Sequence, residues 1–122
     1  THVSMPYSLE VTHVITYDAL AMTPTRYADV LKRHFDELLA EGAQSGTVMC
    51  IPLHAYLVSQ AHRIGPFEDA LAHITAHKDE VWFATAAEIA GHFRENYWEQ
   101  SLADIEAKGC KRAGTGFDDA AA

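Results

Sequence analysis

The sequence predicts an α/β chain with parallel strands, and three features of its 122 residues predict it. Helical patterns alternate with short apolar runs, which is the rhythm of parallel strands joined by helical crossovers. Residues 47–53 (TVMCIPL) form a continuous apolar run of the length of a strand buried on both faces. A loop then leads from that run into the next helix, the place where such folds carry their chemistry.

Residues 1–22 show no helical period and hold several β-favouring side chains, so they are assigned to a strand end and a long loop. At Thr23-Pro24 a preferred N-cap meets a proline suited to the first helical position. Tyr27, Val30, Leu31, Phe35, Leu38 and Leu39 then recur at helical spacing until Gly42, which predicts an amphipathic helix. Pro52 ends ladder pairing in the run that follows. The segment 54–65 lacks a period and is predicted as a loop, after which Gly65-Pro66 opens a second helix through Phe67, Ala70, Leu71 and Ile74. Residues 81–84 (VWFA) are a short buried strand, with Trp82 and Phe83 assigned to the core. Thr85 with Glu88 is a capping-box signature for a third helix through Ile89, Phe93 and Tyr97. Residues 1–108 are expected to form the structured portion and residues 109–122 a flexible tail.

Composition narrows the function. A formal charge of −8 repels phosphate backbones and anionic headgroups, which argues against a nucleic-acid or membrane partner. No apolar run approaches the roughly 18 to 20 residues of a bilayer span, and no export signal is visible, so a cytoplasmic protein is expected. Cys50 and Cys110 are read as reduced structural thiols. The sequence opens at Thr1 and runs almost at once into MPYSLEV, which suggests a fragment or processed subunit. Two or three strands cannot close a barrel and would leave open edges. The remaining strands are therefore expected on an N-terminal half of the same protein or a companion chain, with homo-oligomer formation along the open edge as a further expectation.

MPYSLEV, VMCIPLHAYLVSQAHRIGPFEDALAHI and VWFATAAEIAGHF resemble the C-terminal third of the polysaccharide-deacetylase (NodB-homology) family, nearest its allantoinase-like and cyclic-imide-hydrolase-like branch. The resemblance spans roughly residues 4–98 and implies the C-terminal fragment of an incomplete (β/α) barrel. It also implies a hydrolase of non-peptide C–N bonds acting on an amide, ureide, imide or N-acetylated sugar. In that family a Leu-His pair ends a late strand and its histidine is the general acid, which maps onto Leu53 and His54. Arg63 in QAHRI matches an arginine of the following loop and implies substrate binding, and Trp82 matches a tryptophan on the last strand. Tyr7 and His13 fall in a loop where the family contacts substrate. Thr12-His13 replaces the Asn-Asp usual in the allantoinase-like branch, a departure that bears on the substrate, and Ser59-Gln60-Ala61 replaces Gly-Gln-Pro, a departure that bears on the loop shape.

The residues also admit plainer readings. A histidine at a strand end is often a polar rim residue, and an arginine before a helix can make a structural ion pair. His73 and His77 have i,i+4 spacing without the glutamate of an HExxH site and are read as solvated helix surface. The TFDDG-type and HxxxH-type motifs that supply the family's base and metal ligands are absent. No metal ligand is therefore expected within this chain, and zinc enters only if an N-terminal half supplies its ligands. The alternative is a noncatalytic fragment of the same scaffold that binds a partner chain.

Overall fold

Thr23 and Pro24 start the longest element of the computed structural model, which describes residues 3–5 and 7–109. The Thr23 hydroxyl accepts the backbone N–H of Arg26, and the helix α1 runs Pro24–Gly42 with Tyr27, Ala28, Leu31 and Phe35 buried on one stripe. It is followed by α2 (Ala55–Val58), α3 (Ala61–Ala76), α4 (Ala86–Asn96) and α5 (Trp98–Ala107). Before α1 lie a 3₁₀ helix, Leu9–Val11, and a π-helix, Val14–Ala19.

The chain divides into two units, Thr1–Phe83 and Ala84–Ala122. In the first, α1 and α3 are the principal packing pair. Its core joins Val11 of the 3₁₀ helix and Tyr17 of the π-helix to Tyr27, Ala28 and Leu31 of α1. Leu57 and Val58 of α2 and Phe67 and Ala70 of α3 complete it. Farther along the same pair, Phe35 of α1 packs between His73 and His77, with ring centroids 5.9 and 5.5 Å away. In the second unit the capping box is present. The Thr85 hydroxyl accepts the Glu88 N–H, while the Glu88 carboxylate accepts the Thr85 N–H at 2.7 Å. Hydrogen bonds from the Thr85 backbone and hydroxyl hold Glu88 below its ordinary carboxylate range.

The α/β expectation, and with it the fragment of a (β/α) barrel, is overturned: among the described residues there are helices and no strand. The reason is visible at residues 47–53. A strand needs a lateral partner for its ladder, and β-favouring side chains do not supply one. Here the run instead lies as packing material: Met49 and Ile51 rest against the core, Pro52 is buried, and Leu53 is exposed. Residues 81–84 likewise form no strand, and Trp82 and Phe83, assigned to the core, are 59% and 55% exposed. The supposed N-terminal strand and loop contain the 3₁₀ and π turns, and the supposed loop 54–65 contains α2 and the first turn of α3. Pro66 therefore lies inside α3 and does not open it, which removes the bond that a backbone N–H there would donate to the His62 carbonyl. Cys110 and residues 110–122 of the expected tail lie outside the described residues. No described helix is long and apolar enough to cross a membrane.

Far-UV circular dichroism should show a helical double minimum without a sheet component. The fully buried Tyr27 hydroxyl donates to the Val11 carbonyl at 2.9 Å. Tyr27→Phe leaves that carbonyl unsatisfied and should destabilise the fold by about 1–3 kcal/mol in urea titration.

Candidate functional site

The end of residues 47–53, the segment before the π-helix and the first turn of α3 deliver His54, His13 and Arg63 to one place. The backbone N–H of His54, the N-cap residue of α2, donates to Nδ1 of His13 at 3.2 Å, across 41 residues of sequence. An accepting Nδ1 carries no proton, so His13 is a neutral imidazole with its hydrogen on Nε2. The two rings lie 6.3 Å apart, edge to face.

His13 is fully buried among aromatic rings, stacked on Tyr17 at 5.8 Å and 14°, tilted against Tyr27 at 4.9 Å and edge-on to Phe67 at 5.9 Å. Burial lowers its pKa, and the neighbouring His54 and Arg63 lower it further. Arg63 places its guanidinium 4.2 Å from the centre of the Tyr17 ring and donates from one terminal nitrogen to the Leu57 carbonyl at 3.2 Å. Burial raises Tyr17, an effect that Arg63 opposes, and raises Tyr27 strongly.

Five polar atoms in this cluster are shut off from solvent and make no hydrogen bond: Thr12 Oγ1, His13 Nε2, Tyr17 Oη, His54 Nδ1 and Arg63 Nε. Native interiors tolerate few such groups, because each costs about 1–3 kcal/mol. His13, Tyr17 and His54 are in ring contact and Arg63 lies over Tyr17, so four of these atoms belong to side chains that meet at one place. Among the described residues no carboxylate forms an ion pair with Arg63, so its structural ion-pair reading has no partner here.

Three of the four residues singled out in the sequence thus come together. Tyr7 does not join them: its side chain is 59% exposed, and it takes no part in the ring cluster. Tyr17 was missed, although His13 and Tyr17 stand at i,i+4 and such pairs share a helix face. His73 and His77 are engaged elsewhere. His73 Nε2 meets Asp36 Oδ1 at 2.6 Å, linking α3 to α1, and His77 Nδ1 meets Glu80 Oε1 at 2.7 Å. Among the described residues no group of three or more His, Cys, Asp or Glu is arranged to hold a metal ion.

The depressed pKa of His13 carries a sign. Above the ordinary imidazole value of 6.5 the ring is neutral in both folded and unfolded chains. Below it the unfolded chain takes a proton that the folded chain refuses, so stability falls with pH. The urea midpoint should drop between pH about 7.5 and about 5.5, and the drop should shrink in His13→Asn, which keeps an acceptor for the His54 N–H but cannot titrate. An equal drop in both proteins would assign the pH dependence to other groups. The chain matches no protein-family model, no curated protein and no solved structure.

Proposed function

We propose that this chain carries the proton-donating portion of a hydrolase for non-peptide C–N bonds, with His54 as general acid and Arg63 as substrate anchor. The observation that supports it is the meeting of His54, His13 and Arg63 from three separate segments. The resemblance of roughly residues 4–98 to polysaccharide deacetylases, with Leu53-His54 and Arg63 at its matched positions, suggests the reaction class: an amide, ureide, imide or N-acetyl group.

The chemistry follows from the leaving group. An amide nitrogen departs poorly until protonated, and a histidine beside it can donate that proton as the tetrahedral intermediate collapses. His13 holds the His54 backbone in place through Nδ1 and, being neutral, adds no positive charge beside the acid. Arg63 offers a planar fork to a carbonyl or carboxylate oxygen. Water is the nucleophile, and the group that activates it is assigned to an N-terminal half or a companion chain. Were zinc employed, its ligands would come from there too, and it would activate the attacking water. The cytoplasm is the proposed compartment.

A second reading, a noncatalytic fragment that binds a partner, draws on the exposed Leu53 and Tyr56 that flank His54. Native mass spectrometry of the protein from its source, followed by hydrolysis assays on amides and imides, separates the two. In the hydrolase reading His54→Ala lowers kcat by about 10²–10⁴-fold, as loss of a general acid does, and Arg63→Lys chiefly raises KM. Turnover that is unchanged in His54→Ala sinks the assignment, and the partner-binding reading replaces it.

A further inference from the structure

We propose that the buried polar cluster of Thr12, His13, Tyr17 and Arg63 binds one carboxylate group. Resting on the hydrolase reading, the substrate is then an amide or imide that itself bears a carboxylate. Thr12, His13 and Tyr17 are each more than nine-tenths buried, and each has a polar atom without a partner. His13 Nε2 can only donate, because Nδ1 already accepts from His54. Arg63 Nε can only donate as well. The Tyr17 and Thr12 hydroxyls can each donate a further hydrogen. The cluster is therefore rich in donors, and the described residues bring no carboxylate to it. Its complement is a small, planar, acceptor-only group with negative charge, for which Arg63 keeps Nε available while a terminal nitrogen holds the Leu57 carbonyl.

Charge supports the choice at short range. The chain is acidic overall at −8, but surface charges more than about 8–10 Å away are largely screened in physiological salt. Inside the cluster the guanidinium 4.2 Å from the Tyr17 ring is the nearest full charge. The orphaned atoms are shut from solvent, so the ligand is small or is admitted by side-chain movement. Tyr56, exposed and 6.0 Å from the His54 ring, stands beside the cluster.

Acetate and acetamide share a shape and differ in charge, which makes them the probes. The full chain, with any companion it travels with, is titrated with each at constant ionic strength set by sodium chloride. Binding is read by calorimetry and by the ¹⁵N resonances of the histidine rings. Acetate should saturate and shift His13 Nε2, with acetamide at least about tenfold weaker, equivalent to one factor of ten in Kd. Tyr17→Phe, which keeps the ring and removes only the hydroxyl, and Arg63→Gln should each weaken acetate by a similar factor. Unchanged acetate binding in both variants, equal binding of acetamide, or no saturation with acetate overturns the proposal; the last result assigns the orphaned atoms to buried water. His54→Ala should retain acetate binding while losing hydrolysis, so the carboxylate site and the general-acid role can fail separately.

Discussion

A neutral histidine ring buried among aromatic side chains is the constraint on which the first unit depends. Removing an imidazole from water is costly, and His13 recovers only one strong bond for it, from the His54 backbone. That bond and the Tyr27 hydroxyl bond to Val11 tie the N-terminal turns to elements much later in sequence. The apolar gain comes from faces of rings: Tyr17, Tyr27 and Phe67 all rest against His13. Arg63 then closes over the Tyr17 ring, so a cation lies near a histidine that burial already keeps uncharged and that His54 and Arg63 hold further in that state. The core and the candidate site meet at Tyr17, and Tyr27 and Phe67 of the core pack directly on the His13 ring.

The α1–α3 pair divides along its length by chemistry. Near the start of both helices the contact is aromatic and polar, with Tyr27 and Phe67 reaching the His13 cluster. Farther along, Phe35 sits between two histidines, and the pair formed by His73 and Asp36 crosses from one helix to the other. Those pairs are partly exposed and contribute little individually. Their effect is on alignment, since a crossing pair and a buried ring set the register of two helices more firmly than leucines alone.

What was legible in the sequence was local. Thr23-Pro24 and Gly42 bounded α1 as expected, and the Thr85–Glu88 capping box began α4, because caps are decided by residues within a few positions. Strands were not legible, because pairing is a long-range property: residues 47–53 look like a strand, yet they lie along the core edge with Met49 and Ile51 packed against it and, among the described residues, no ladder partner. Pro66 misled for the opposite reason, since a proline one turn into a helix costs a single bond that packing of Phe67 and Ala70 outweighs. His54, Arg63 and His13 could be named from resemblance, whereas Tyr17 was signalled only by its i,i+4 spacing from His13, which counts once the segment is known to be helical.

That turn is a π-helix, in which the Leu20 N–H bonds to the Ile15 carbonyl, five residues back. An α-helix advances about 100° per residue, so the register of this segment fixes which way Tyr17 faces. Losing one residue among Val14, Ile15 and Thr16 would bring Tyr17 from four to three positions after His13 and change the direction its ring takes relative to His13 and Arg63. Here segment length matters as well as side-chain identity: Val14 and Asp18 are exposed and contribute no ring to the site, yet a single-codon deletion among Val14, Ile15 and Thr16 would alter the site without removing any residue that forms it.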